Sequence, residues 1–588
     1  MTAANNRKSD PVKRIRIWYV LILLVSAVFI VRLFYMQILQ HSYYKQAALT
    51  GQLKEYAIPA ERGVILAQSG DGAIPIVLNE IKYTLYADPV YVTSSKKAAR
   101  KLANITGAKA KNYEKKLRLK DTRYVILTKK LDQKTSQAIN KLELKGIGTR
   151  GVPQRSYPQG KLAAQVLGFV NDEGQGTYGL EQALNNELSG TPGQLKAITD
   201  AEGVPLAANK DNVIIDPAPG NRVETTIDIG MQQQLEDILK QGVAHAISES
   251  GSAVIIEADT GAVKAMAGYP TYDPAEFYRV KDASVFTNPV VGSPLEIGSI
   301  MKPLTMAAAL DLGVVNESTS YADPGAWVVD GETILNVVGE RGSGTRTMGD
   351  ILQRSLNTGA TWLLMQMGGG EINSKARNTW HQYMSQKYGF GRQTGIEQGY
   401  EASGTIPKPD DGFGLNIQFA NSAFGQGMTA TTLQVGAALA GVVNGGNYYQ
   451  PRLIEKTTDS EGREESFKPK KLGRTVSASA AESLRNLMEY AFSENHQYYG
   501  MDNLRSEYSI GGKTGTAQIP NPEGGYYENS FNGTFMGFVG GDSAEYVIVT
   551  RVNDPKIAGY AGTTAAGPIF VELAEMLINN FGVRPKSE

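Results

Sequence analysis

The chain has 588 residues, 41% of them hydrophobic, so it can bury more than one core and is expected to form two or three domains. Its 59 Lys and Arg balance 59 Asp and Glu, which leaves no global basic field and argues against nucleic acid as a partner. There is no cysteine, and the four histidines, His41, His245, His381 and His496, have no ligand-like spacing, so neither thiolate chemistry nor a metal or other cofactor is implied.

At the amino end, Arg7, Lys8, Lys13, Arg14 and Arg16 precede an apolar run from Ile17 to Val31. Arg32 can snorkel while Leu33 to Leu39 continues the run, giving about 23 residues or roughly 34 Å of helix, enough to cross a bilayer with some tilt. No small-x-small site follows, so a retained anchor at 17–39 is expected rather than a cleaved signal peptide. The positive-inside rule then leaves a tail, 1–16, in the cytoplasm and the rest of a single-pass protein outside the cytoplasmic membrane, where any chemistry proceeds without ATP.

From His41 a polar stem leads into short strands at Ile58–Ile65 and Tyr83–Pro89. Ser94 to Lys145 is lysine-rich with helical periodicity, clearest over Lys130–Leu142, and its charge is most simply a solvated helix face. Ala163–Val170 is expected as a strand, and Gly174–Asn185 as a loop passing into a helix. Glu181 and Asn185 have the form of a catalytic glutamate motif of class A β-lactamases but lie far ahead of any nucleophile, so Glu181 is expected at a helix start or an interdomain contact. Asp216-Pro-Ala-Pro-Gly-Asn221 is a linker signal, dividing a first domain, 40–220, from a second, 221–588. After it come a strand at Arg222–Asp228, a helix at Gly230–Ile247 and a hairpin of Ala253–Glu257 with Val263–Ala267. Further strands at Ile510–Ile519, Thr534–Val539 and Tyr546–Val552 precede a closing helix, Pro568–Asn580. Strands at both ends with helices between them predict one antiparallel sheet covered by the middle helices.

Within Leu295–Gly313, Ser299 stands at a turn-to-helix junction with Lys302 one helical turn later. Ser-x-x-Lys also occurs at Ser42–Lys45 and Ser94–Lys97, but only Ser299 follows a glycine and opens an apolar run, Met306–Leu310, that must be buried. Burial is what the chemistry needs. Bringing a lysine from its ordinary pKa to near neutrality means disfavouring its cation by about 4 kcal/mol, which desolvation and a neighbouring cation can supply. Ser355 and Asn357, expected on the helix opened by Thr347–Asp350, can act as proton relay and amide clamp, although Ser493–Asn495 and Ser530–Asn532 match Ser-x-Asn too. Lys513-Thr514-Gly515-Thr516 falls in a strand whose alternation points Lys513 and Gly515 to one face, where the glycine leaves room for a substrate backbone. Thr514 and Thr516 offer hydroxyls to a carboxylate, and the Thr516 amide is a candidate oxyanion donor.

Taken in order, Ser299-x-x-Lys302, Ser355-x-Asn357 and Lys513-Thr-Gly515 resemble the motif set of class B penicillin-binding proteins. Arg32–Gln37, Ala60–Gly63, Gly179–Glu181, Gly389–Gly391, Phe424–Gly427, Asn444–Gly446 and Lys513–Gln518 carry the resemblance nearly end to end. It departs at Ile297, where the family commonly has proline, at Ile300-Met301 in place of Thr-Phe, and at Ala67-Gln68 in place of Asp-Arg.

The resemblance implies an α+β membrane-anchored protein. It would have one transmembrane helix, an elongated dimerisation-like pedestal, and a β-lactamase-like transpeptidase domain with a five-stranded antiparallel sheet flanked by helices. It implies a peptidoglycan D,D-transpeptidase with Ser299 as nucleophile, Lys302 as base, Ser355 as proton relay, and Asn357, Lys513, Thr514 and Thr516 as substrate contacts, with Gly515 in the same motif. Stem peptides, β-lactams, the bilayer, a membrane-embedded glycan polymerase and other division proteins are the implied partners. The pedestal motifs and the lack of a zinc-ligand cluster lean toward septal synthesis. A D,D-carboxypeptidase and a non-catalytic β-lactam sensor or scaffold stay open. Trp380–Glu401 and His496–Tyr508 are the segments expected to shape the cleft.

Overall fold

The computed structural model describes residues 11–44, 53–198, 213–337, 340, 342–410 and 414–587. They fall into two units, 1–60 with 190–218 and 61–189 with 219–588, and the last of the three passages between them lies within 216–221.

In the first unit, α1 (Pro11–Phe34) runs into a π-helical turn, Tyr35–Leu39. Ile15–Leu39 is 25 residues long and apolar enough to cross a membrane, and it contains the expected anchor. The Arg32 guanidinium lies 5.8 Å from the centre of the Tyr35 ring. The unit also holds a three-stranded antiparallel sheet of Leu53–Ile58, Gly193–Ile198 and Val213–Ile215.

The second unit begins with the pedestal strands β1 (Ile65–Ser69), β2 (Gly72–Ala87), β3 (Val125–Leu131) and β4 (Ile147–Ser156). The long β2 pairs antiparallel with the other three. Helices α2 (Ser95–Thr106), α3 (Ala110–Leu117) and α4 (Gln133–Asn140) bury Leu102, Leu117 and Ile139 against Leu85 and Leu127 of that sheet. The lysine-rich stretch is therefore not helical throughout. Val125–Leu131 takes its hydrogen bonds from β2, and the helix expected from Lys130 starts only at Gln133, where the Asp132 carboxylate accepts the Thr135 amide at 2.6 Å.

Ala163–Val170 is corrected as well: it is a short helix, Ala164–Leu167, followed by a two-residue strand. All four helical residues are buried, so the run shows no period from which to distinguish helix from strand. Gly168 ends the helix at φ +76°, and a Cβ there would lie 2.1 Å from the Tyr178 carbonyl oxygen.

Glu181 sits, fully buried, on α5 (Gly179–Ala183). It accepts hydrogen bonds from Arg62 Nε at 2.6 Å and Arg155 Nε at 2.8 Å, locking the Ala60–Gly63 segment onto β4. Both partners belong to the pedestal, so the helix-start expectation holds, and among the described residues this carboxylate makes no ion pair outside the pedestal.

Strand β5 (Arg222–Asp228) lies parallel to β1 and antiparallel to Ile454–Thr458, so one mixed seven-stranded sheet runs from the pedestal into the domain that follows. At the third family departure, Ala67 is buried and Gln68 Nε2 donates to the Thr225 carbonyl at 2.8 Å, tying β1 to β5.

That domain is built on β6 (Ser250–Glu257), β7 (Val263–Tyr269), β8 (Ser509–Pro520), β9 (Tyr526–Gly540) and β10 (Ala544–Asn553). Their order is β7-β6-β10-β9-β8, antiparallel throughout, as predicted. Its helices include α6 (Ile229–His245), α7 (Lys302–Asp311), α8 (Met348–Gln353), α9 (Asn357–Met367), α10 (Thr432–Val443), α11 (Ala478–Asn495) and α12 (Gly567–Asn580). On one face α6 and α12 bury Leu235, Leu239 and Phe570 against Ile255 and Phe535. On the other, α7, α10 and α11 bury Leu304, Leu433 and Leu484 with Ile256 and Phe538. Strand β8 is left at the sheet edge, beside the start of α7.

Candidate active site

Ser299 lies in a 3-10 turn, Gly298–Met301, that runs directly into α7. Gly298 adopts φ +64°, and a Cβ on it would stand 3.0 Å from the Thr516 carbonyl oxygen, so only glycine lets this turn close onto β8. The unusual neighbours Ile297, Ile300 and Met301 are all buried, and the Ile297 carbonyl accepts the Thr534 hydroxyl at 3.1 Å. Apolar packing and this hydrogen bond hold the approach to the serine.

One turn on, Lys302 Nζ lies 2.8 Å from Ser299 Oγ, 2.7 Å from the Ser355 carbonyl oxygen, 3.0 Å from Ser355 Oγ and 2.8 Å from Asn357 Oδ1. Lys302 is fully buried, and desolvation, aided by the charge of Lys513, holds its pKa well below the ordinary lysine value. As an amine, Nζ has two protons and one lone pair. The Ser355 carbonyl and Asn357 Oδ1 can only accept, so they take both protons, and the lone pair faces the serine hydroxyls. That is the hydrogen bonding of a general base.

Ser355 is not on a helix, contrary to expectation. The capping box of Thr347 and Asp350 opens α8, which ends at Gln353, and Ser355 occupies the break before α9 at φ +56°. A left-handed serine costs roughly 1–2 kcal/mol. Here it turns both carbonyl and hydroxyl onto Lys302, whereas a helical carbonyl would point along the axis. Asn357 begins α9, and its Nδ2 donates to the Leu335 carbonyl at 2.9 Å.

On β8, Lys513, Gly515 and Ala517 turn inward while Thr514, Thr516 and Gln518 line the cleft. Lys513 is buried, with Nζ 3.0 Å from the Thr514 carbonyl oxygen and 3.3 Å from its hydroxyl, and desolvation lowers its pKa to about 7. The space beside Gly515 is not free for substrate: a Cβ there would meet Thr534 Oγ1 at 2.3 Å and the Ile297 carbonyl oxygen at 2.7 Å. The glycine makes room for the segment that carries Ser299. Thr516 Oγ1 accepts the Gly562 amide at 3.1 Å.

Ser299, Ser355, Asn357, Thr514 and Thr516 share a cleft of about 900 Å³, and Lys302 and Lys513 stand behind its wall. Of the two segments expected to shape it, His496–Tyr508 contributes Tyr498 and Tyr499, whereas Trp380–Glu401 contributes nothing, with Trp380, Tyr388 and Phe390 in the core. Sequence reasoning missed Gln426, Asn495 and Tyr560 on the cleft wall. It also missed Glu296, whose Oε1 accepts the Gly427 amide and the Tyr526 hydroxyl, each at 2.9 Å. Proximity to the serine was the only available signal for Glu296. Of the decoys, Ser94 is an exposed residue before α2, and Lys45 lies outside the described residues.

Residues 251–575 match the penicillin binding protein transpeptidase domain, and residues 57–225 match the penicillin-binding protein dimerisation domain. Penicillin-binding protein PbpB of Mycolicibacterium smegmatis is 31% identical over 81% of this chain and 72% of its own length. Stage V sporulation protein D of Bacillus subtilis is 29% identical over 99% of this chain and 88% of its own. The crystal structure of penicillin binding protein 2X from Streptococcus thermophilus has the same fold, with a TM-score of 0.73 at 24% identity, covering 90% of this chain and 81% of that one. With a catalytic-type cleft built on the first of these domains and a pedestal on the second, the chain belongs to the class B penicillin-binding proteins.

Proposed function

We propose that the protein is a serine-type D,D-transpeptidase that crosslinks peptidoglycan stem peptides, and the observation that carries this is the buried Lys302 amine 2.8 Å from Ser299 Oγ. Ser299 attacks the carbonyl between the two terminal D-alanines of a donor stem while its proton passes to Lys302. The amides of Ser299 and Thr516 hold the oxyanion, a pairing supported by the close approach of Gly298 to Thr516. The proton then moves through Ser355 to the leaving D-alanine amine, and the acyl bond to Ser299 remains. Asn357 clamps the donor amide. Thr514 and Thr516 receive the terminal carboxylate, with the Lys513 charge behind them. Attack by an amine of a second stem releases the serine and forms the crosslink. A β-lactam opens on the same serine and stalls there.

The same proposal divides the chain into a cytoplasmic tail, 1–16, an anchor, 17–39, a pedestal, 40–220, and a transpeptidase domain, 221–588, on the extracytoplasmic side of the membrane. Support comes from the basic residues ahead of the helix and from the two domain matches. Septal synthesis beside a membrane-embedded glycan polymerase is the assigned setting, on the pedestal motifs. Since the chain has no cysteine, Lys586→Cys tests orientation: a membrane-impermeant maleimide should label it in intact cells, and no labelling overturns the topology.

Fluorescent penicillin should label the wild type and not Ser299→Ala; equal labelling refutes the site. Donor stem peptide incubated with an acceptor amine should give a crosslinked product. Hydrolysis alone would make the enzyme a carboxypeptidase, and acylation with no turnover of either kind would make it a sensor.

A further inference from the structure

The pedestal helices carry a charge that the rest of the chain does not share. Residues 95–150 contain seventeen Lys and Arg against four Asp and Glu, within a chain whose net charge is zero. On α2, Ala98, Ala99 and Leu102 are buried in the pedestal core, which leaves Lys96, Lys97, Arg100 and Lys101 on the exposed side. Lys111 and Lys115 extend this basic surface on α3, which packs against α2.

For the isolated protein the arrangement is unfavourable. Lys96 with Arg100, and Lys97 with Lys101, are same-sign pairs one turn apart, which destabilise a helix. Lys96 and Lys97 also occupy the first turn of α2, where the helix dipole favours acidic residues and none is present. None of the six cations forms an ion pair among the described residues, although Glu114, Asp88 and Asp172 pair with other cations nearby. A solvated face needs no such density. Charge that opposes its own helix and lacks internal counter-ions fits an external anion.

We infer that this helical face binds a linear polyanion. Lysine predominates over arginine in the segment, so the surface responds to charge density rather than to the bidentate geometry of one phosphate or carboxylate. All six side chains are exposed and spread over two helices, which suits an extended chain of anions better than a single compact one. The apolar side of α2 is buried in the pedestal itself, so the helix cannot embed in a bilayer as interfacial amphipathic helices do. That favours a soluble polymer over a membrane surface.

The test uses the full chain in neutral detergent with fluorescein-labelled sodium polyphosphate, read by anisotropy at low and moderate salt. Binding should be salt-sensitive. The combined Lys96→Gln, Lys97→Gln, Arg100→Gln and Lys101→Gln variant should weaken it at least tenfold. A control that neutralises the exposed Lys468, Lys470 and Lys471 should change it less than twofold, and both variants should keep wild-type penicillin labelling. In the wild type, independent of any variant's folding, polyphosphate should shield α2 and α3 lysines from an amine-modifying reagent. Unchanged binding in the α2 variant, equal loss in the control, or no shielding overturns the proposal. So does a surface that holds only anionic vesicles or a second copy of the chain and not the polymer.

Discussion

The Tyr526 hydroxyl donates a 2.9 Å hydrogen bond to Glu296 Oε1, and so ties the start of β9 to the segment three residues ahead of the reactive serine. The same oxygen accepts the Gly427 amide, and burial pushes the carboxyl pKa up. Three pieces of the cleft meet at one side chain. Glu296→Ala should cut the second-order rate of penicillin acylation by about 10- to 100-fold through misplacement of Ser299. Tyr526→Phe, which removes one of the two hydrogen bonds, should cost less. Stopped-flow acylation on folded protein checks both, and a wild-type rate in Glu296→Ala would show that the link plays no part in positioning.

Lys302 should impose the acid limb of the reaction. Burial holds its pKa well below the ordinary lysine value, so the amine persists to lower pH than in a free lysine and is lost on acidification. Acylation should therefore slow as pH falls through that pKa, approaching tenfold per unit. Lys302→Arg stays charged at every accessible pH and should lose about 10³-fold in rate. A pH profile of acylation for both proteins provides the measurement.

Lys513 should lower stability at neutral pH. Its folded pKa of about 7 lies below the ordinary lysine value, so above about pH 7 the unfolded chain binds the extra proton and stability rises with pH until that proton is also lost from the unfolded state. Lys513→Met removes this contribution. The variant should be more stable than wild type at pH 7, by about 1–3 kcal/mol, with the gap narrowing toward pH 10, while penicillin labelling is lost. Thermal melts at the two pH values, run beside a labelling assay, decide it.

Glu181 should matter to the fold and not to the chemistry. Its side chain is fully buried between Arg62 and Arg155. Glu181→Ala leaves two buried guanidinium groups without their counter-charge and should cost about 3–5 kcal/mol by urea denaturation. The molecules that remain folded should acylate at the wild-type rate. A selective loss of acylation would instead give this glutamate a place in the reaction.

The membrane helix, the hairpin of β6 and β7 and the edge strand β8 could all be recognised before any tertiary contact was known. Each is specified locally, by hydropathy over a bilayer's width or by alternation between turn residues. Ser299 and Lys302 belong to the same class, because one helical turn joins them. The first residues of the Lys130–Leu142 helix and the whole of Ala163–Val170 were misassigned because pairing with a distant strand, or burial on every side, overrides or erases the local period.

By itself, then, the sequence determined the anchor, most of the strands and helices, and which of three serines with a lysine three residues on opens an apolar run, since all of these depend on neighbours along the chain. Tertiary structure alone decided that Ser355 leaves the helix to face Lys302, that Gly515 yields its space to the Ser299 turn, and that Glu296 joins β9 to the serine. Those relations pair residues from about fifty to over two hundred positions apart in the numbering, and only the closing of β8 and α9 around the start of α7 brings them within reach.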